Sequence, residues 1–246
     1  MTIQAQASFH IGTSGWSYEH WRGSFYPEYL SKEKWLEYYA AYLSSIEINN
    51  SFYQLPEKKT LQHWYKTVPD HFIFTVKASR YITHMKKLKN PAKSLSTFLK
   101  RISVLDNKLG PVLFQLPPRW HFNAERLAAF LDMLSDEFSY AFEFRDHGWH
   151  NPETYDLLAK QNAAFCIYDL DGFLSPKEVT ANFVYVRLHG PSASYQGSYD
   201  NRTLSGWAGA FASWLSAGQD VYCYFDNDQS GYAVQNARSL QSMLQK

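Results

Sequence analysis

Cysteine is scarce in this chain: the two present among 246 residues, Cys166 and Cys223, each lie inside an apolar strand-like run. That placement suits small buried hydrophobes in a reducing compartment better than a disulfide. No stretch approaches the roughly 20 apolar residues that a bilayer-spanning helix needs. The opening MTIQAQASFHIG has neither the basic nor the apolar region of a secretory leader. A cytoplasmic protein without a membrane anchor is expected. An excess of one charge is missing too: 24 Lys and Arg oppose 23 Asp and Glu. No global field therefore draws the molecule to nucleic acid or anionic lipid, and any preference for anions must be local. Lys86, Lys87 and Lys89 make the one short basic run, which reads as a solvated loop. GxGxxG, P-loop, HxH and HExxH spacings are absent, as are internal repeats, so no dinucleotide, nucleotide or helix-borne zinc motif is available. Ser192 and Ser194 lack a nucleophile motif, which argues against a covalent serine mechanism.

Aromatic residues are abundant: 17% of the chain, with 8 Trp and 18 Tyr, more than a minimal core requires, so some are expected to line a binding surface. Eight β-type runs are visible, at residues 9–12, 45–49, 72–77, 111–116, 140–144, 164–168, 183–188 and 221–226. Between them lie apolar stripes at helical spacing, such as Leu61, Trp64 and Val68, or Leu95, Phe98, Leu99, Ile102 and Leu105. Helix starts are expected at Asn90-Pro91, at Asn151-Pro152, and at Ser175-Pro176 with Glu178 in the capping-box position; Gly218 reads as a helix stop. Alternating strands and helices require parallel strands with right-handed crossovers. Closing them removes both edges and gives a single (β/α)8 TIM barrel over residues 1–246, with an open doubly wound sheet as the rival. The long irregular connection from Thr13 to Ser31 is expected to serve the active face.

Side chains two apart on a barrel strand share a wall. Glu47 pairs in this way with Asn49, Thr75 with Lys77, Glu143 with Arg145, and Arg187 with His189. Gln115 follows Leu113, Asp169 follows Phe165 and Ile167, and Asp226 follows Tyr222 and Tyr224. Every charge falls at the C-terminal end of its strand. Buried charge is costly unless paired, so a polar pocket floor at the face that carries active sites in this fold is expected. The competing reading is an ion-pair network that merely caps the barrel, with Glu47, Glu143, Asp169 and Asp226 neutralising Lys77, Arg145 and Arg187.

With those residues set out, the chain resembles the YecE-like family, a domain of unknown function with a TIM-barrel fold. The resemblance rests on IGTSGWSYEHWRGSFYP at 11–27, EINNSFYQLP at 47–56, FTVKASRYITH at 74–84, LGPVLFQLPP at 109–118, AFEFRDHGW at 141–149, YVRLHG at 185–190, and YFDND followed by GYAVQNA up to Ala237. It implies the fold and the location of the pocket, and no settled activity.

The favoured chemistry is an enzyme of hydrolase or lyase type acting on a phosphate- or carboxylate-bearing small molecule, without a redox cofactor. Lys77, Arg145 and Arg187 hold the anion; Glu47 and Glu143 serve as general acid and base, and His189 as a proton shuttle. Asn49 and Gln115 orient the substrate, alongside Trp16, Asp169 and Asp226. Backbone N–H groups at Thr13, Ser14 and Gly15, or at the helix start after Asn227, are further candidate anion contacts. One alternative is metal-assisted phosphodiester hydrolysis, nuclease-like, on Glu47, Glu143, Asp169, Asp226 and His189. Two glutamates flanking a sugar stacked on Trp16 or Trp21 would make a glycosidase. The non-enzymatic alternative is a binder of single-stranded nucleic acid or a small ligand through Trp16, Tyr18, Trp21, Phe25 and Tyr26, against which stands their use as a lid over the barrel. No organic cofactor, membrane or obligate protein partner is expected, with a divalent metal the lesser alternative.

Overall fold

The eight expected strands all form. In a computed structural model that describes residues 7–245 they are β1 Phe9–Thr13, β2 Ser45–Ile48, β3 Ile73–Lys77, β4 Leu109–Leu116, β5 Tyr140–Phe144, β6 Ala164–Leu170, β7 Phe183–Leu188 and β8 Asp220–Phe225. Of the opening MTIQAQASFHIG, residues 1–6 lie outside the described residues. All eight strands run parallel, in the order β1-β8-β7-β6-β5-β4-β3-β2. A Ser14–Glu47 bridge closes the remaining seam. The result is a (β/α)8 TIM barrel. The seam is tight because Gly12 has no side chain: a Cβ there would lie 2.0 Å from the Ser45 carbonyl oxygen.

Alternation divides the strand residues into two sets. Leu113, Ala141, Ala164, Cys166, Phe183, Tyr185 and Tyr224 fill the barrel, whereas Ile11, Ile46, Phe74, Phe114, Phe142, Phe165, Ile167, Val186 and Cys223 pack outward under the helices. Both cysteines are free and buried, one on each side of the wall.

Among the described residues seven α-helices cover the outside: α1 Trp35–Ala40, α2 Lys58–Thr67, α3 Ala92–Ile102, α4 Ala124–Leu131, α5 Pro152–Lys160, α6 Asn201–Ser216 and α7 Tyr232–Leu244. Asn151 caps α5 as expected, its side chain accepting from the Thr154 amide at 3.0 Å. Gly218 follows the end of α6 with φ +83°, as a helix stop should. Asn90 does not cap: Lys87, Leu88 and Asn90 all take positive φ. This turn tucks Leu88 into the core, and α3 begins only after Pro91. The helix expected from Ser175-Pro176 does not form. β5 pairs with β6 only at Ala141–Ala164 and Phe142–Phe165, and the segment that follows β6 supplies other partners. Phe173–Leu174 adds a two-residue antiparallel strand. The Ser175 and Thr180 hydroxyls then accept from the Tyr168 and Phe165 amides, each at 2.8 Å. A helix would withdraw those acceptors.

The long first connection is an aromatic lid. Trp21, Phe25 and Tyr26 are buried, Tyr26 stacks on Trp35 with ring centroids 4.7 Å apart, and Trp21 donates to Asp228 in the loop after β8 at 2.6 Å. Among the described residues no helix is long and apolar enough to cross a membrane.

Candidate active site at the barrel mouth

Arg187, on the inner wall of β7, is the hub. Its Nη2 donates to Glu47 Oε1 and its Nη1 to Glu143 Oε2, both at 2.7 Å, and Nη2 also reaches Asp226 Oδ2 at 3.3 Å. Neither glutamate side chain is exposed at all. Glu47 is completed by the Ser14 hydroxyl at 2.8 Å and the Tyr185 hydroxyl at 2.6 Å. Glu143 Oε1 accepts from Arg145 Nε, and the Cys166 thiol lies 3.9 Å from Oε2. Burial opposes ionisation of Glu143, but the guanidiniums of Arg145 and Arg187 outweigh it and hold the carboxyl well below the usual carboxylate range.

His189 extends the network. Arg145 Nη2, a donor only, lies 3.0 Å from His189 Nε2, and Asp226 Oδ2 lies 3.0 Å from Nδ1. That arrangement assigns the ring proton to Nδ1, which gives it to Asp226. Asp226 is 18% exposed and is the one carboxylate of the network open to solvent. Burial raises its pKa, but the His189 bond and Arg187 prevail and the carboxyl stays below its ordinary value.

Lys77 ends β3 on the same inner wall. Among the described residues no carboxylate lies within 4.0 Å of its ammonium, which sits 4.5 Å from the centroid of the Phe52 ring. Burial, then the neighbouring Arg187, push its pKa down to about 8 against the pull of Glu143, Glu47 and Asp226. His84 packs edge-on to the same Phe52 ring and is pushed down to about 4, first by burial and then by Lys77, Arg80 and Arg145.

The structure thus brings Glu47, Lys77, Glu143, Arg145, Arg187, His189 and Asp226 together. Gln115 is buried beside Glu143 in the β4–β5 register. Asp169 stands apart: its parity partners Phe165 and Ile167 face the helices, while Ala164 and Cys166 face inward. Asn49 follows the end of β2 in helical geometry, so alternation lapses there. With Trp16 it lines a side groove of about 550 Å³ that also takes in Tyr18, His63 and Trp64, and its Oδ1 is buried without a partner. The backbone anion contacts expected near β1 are spent, since the Ser14 and Gly15 amides bond Phe225 and Thr13 carbonyls. The start of α7 is covered by Trp21 and Ser24 of the lid, which lie against Gly231. Trp21, Phe25 and Tyr26 are interior lid residues and cannot stack on a ligand.

Four participants were missed from sequence. The side chains of Ser14, Cys166 and Tyr185 obey the same two-residue alternation as Gly12, Ala164 and Arg187, so the rule that found the charges would have found them had it been extended to these positions. Tyr195, packed edge-on to His189 at 5.6 Å between centroids, lies on a loop without periodicity. A divalent ion among Glu47, Glu143 and Asp226 would have to displace the Arg187 guanidinium. Among the described residues no group of three His, Cys, Asp or Glu side chains is placed to hold a metal ion.

The sequence profile of the family described as "Protein of unknown function DUF72" matches residues 10–246. UPF0759 protein YunF of Bacillus subtilis is 25% identical over 268 residues, spanning 96% of this chain and 94% of the relative. UPF0759 protein YecE of Escherichia coli is 31% identical over 139 residues, 55% of this chain and 48% of its own. Among solved structures, a DUF72 family protein from Thermotoga maritima superposes with a TM-score of 0.86 at 27% identity, over 97% of this chain and all of that one.

Proposed function

This chain belongs to the DUF72 family, and because that family name specifies no reaction, we propose a function from the mouth itself: it binds a small phosphate- or carboxylate-bearing substrate and moves a proton on it. One asymmetry carries the reading. The glutamates are fully engaged by Arg187, Ser14, Tyr185 and Arg145, whereas the ammonium of Lys77 is without a carboxylate partner among the described residues. Positive charge left unneutralised at the open end of a low-dielectric pocket is where an anion gains most. Arg145 adds to it, spending Nε on Glu143 and Nη2 on His189 and resting over the Tyr168 ring at 5.3 Å.

Glu47 and Glu143 are sealed and serve to hold Arg187 and Arg145 in place. Asp226, ionised, partly exposed and tied to His189, takes the part of general base, with His189 fixing its orientation. The C-terminal face of this fold carries the active sites of its characterised enzymes, an analogy that supports catalysis over simple binding.

Thermal denaturation with inorganic phosphate, malonate, glycolaldehyde phosphate and glucose tests the proposal. An anion at about 100 times its Kd stabilises by about 2.7 kcal/mol, a rise of about 5–10 °C for a chain of this size. The rise is expected with anions, not with glucose, and is expected to be lost in Arg145→Met. No rise with any anion, or a full rise in Arg145→Met, refutes it.

A further inference from the structure

Two lysines are largely buried in this barrel, and they are treated oppositely. Lys108 donates to the Tyr65 carbonyl at 2.9 Å and the Val68 carbonyl at 2.8 Å, and lies 3.4 Å from Asp70. Its charge is fully compensated. Lys77 has the same kind of aromatic neighbour, each ammonium lying 4.5 Å from a ring centroid. Yet the Lys77 ammonium makes no hydrogen bond among the described residues, and its nitrogen is not among the sealed polar atoms. A ring alone does not replace the hydrogen bonds that a desolvated ammonium loses.

The groups facing it explain why. Glu47 on β2, Glu143 on β5 and Asp226 on β8 pull on its charge, but all three are bonded to Arg187, itself a repelling cation. His84 faces it across Phe52. A lysine in a mouth, uncompensated and open to solvent, is a nucleophile in waiting rather than a structural cation.

We propose that Lys77 forms a Schiff base with an aldehyde or 2-oxo acid whose anionic group is held by Arg145. The inference rests on the anion-binding reading of the mouth and deepens it by naming a carbonyl substrate. In the condensation a C=N bond replaces C=O. Two of the three ammonium hydrogens leave with the carbonyl oxygen as water, and the remaining N–H stays on a positively charged iminium. No external oxidant or reductant is needed. The retained positive charge stays within the field of Glu47, Glu143 and Asp226, and the iminium withdraws electrons from the adjacent bond, the activation used in lyase chemistry.

The test is reductive trapping of the intact wild-type protein with sodium cyanoborohydride and glyoxylate, glycolaldehyde phosphate or neutral glycolaldehyde, followed by peptide mass spectrometry. An amine whose pKa is pushed down to about 8 should label about tenfold or more faster than surface lysines. Lys77 labelling should rise with pH and level off above about 8. Lys77→Arg should abolish the adduct at this site and leave surface labelling unchanged. Labelling of Lys77 no faster than that of Lys58 or Lys59 with all three carbonyls overturns the Schiff base, even if anions raise the melting temperature. Rapid labelling by neutral glycolaldehyde with no advantage for the anionic carbonyls keeps the nucleophile and overturns the anion reading.

Discussion

At the scale of single residues, Arg187 governs the mouth. With 1% of its side chain exposed it is bonded to two glutamates that have no exposure at all, so its value lies in cancelling charges that the fold has already buried. Removing one partner of such a set leaves an uncompensated charge, at a cost of about 3–5 kcal/mol. Arg187→Met is expected to lose that much stability in urea unfolding at pH 7. The pH dependence has a definite sign. In the wild type the depressed carboxyl of Glu143 contributes stability that is present above about pH 4.5 and is lost only as the pH falls through its lowered folded value. In Arg187→Met, Glu143 stays buried but loses one of the two guanidiniums that outweigh burial, so its folded pKa rises and the variant forfeits part of that stability wherever the carboxyl is ionised. The gap between variant and wild type should therefore narrow as the pH falls from 7 towards about 4; a gap independent of pH would contradict this account of the network.

Among elements, the β1–β2 seam is the most constrained. A methyl group at Gly12 would meet the Ser45 carbonyl oxygen at 2.0 Å and its carbon at 2.7 Å, with the Tyr39 hydroxyl at 3.1 Å, and the two nearest atoms are backbone that cannot swing aside as a side chain could. Gly12→Ala is expected to cost about 3 kcal/mol or more, at the upper end for overpacking, and to loosen the Ser14–Glu47 bridge that closes the barrel. Gly206 and Gly209 make the contrast: both are exposed within α6, and an added Cβ at either meets nothing within 4 Å. Alanine at each should stabilise by about 0.5–1 kcal/mol, because the unfolded chain gives up freedom that the helix never used. Chemical denaturation of the three variants checks both signs at once.

For the whole molecule, the near balance of 24 basic against 23 acidic residues sets what long-range electrostatics can do. A polyanion gains from many phosphate contacts, each of which releases counterions, and a net charge near zero gives it no long-range attraction to this chain. Binding of a fluorescent single-stranded oligonucleotide is expected to be weak, with a log–log salt slope between 50 and 200 mM no steeper than about −1. A slope of about −4 or steeper would restore the nucleic-acid reading. Of the aromatic set that suggested stacking, Trp21, Phe25 and Tyr26 are committed to the lid, and Trp16 and Tyr18 line the side groove.

Period-two runs, apolar stripes at helical spacing in the first four connections, and helix start and stop signals in the later ones pointed to the eight strands, their parallel order and seven helices, because those signals are local and the core repeats them. Alternation likewise placed Glu47, Lys77, Glu143, Arg145, Arg187, His189 and Asp226 on one wall. Parity, however, is only relative along a strand. Packing decides which set of β6 faces inward: Ala164 and Cys166 point into the barrel, Cys166 beside Glu143 of the neighbouring strand, and Asp169 consequently falls outside. The helix expected from Ser175-Pro176 failed for a similarly non-local reason, since Ser175 and Thr180 are drawn into service by the amides of β6. Composition also cannot tell a compensated cation from an uncompensated one. Arg187 and Lys77 look alike in sequence, and only the closure of the barrel gave the carboxylates to the first and left the second without them.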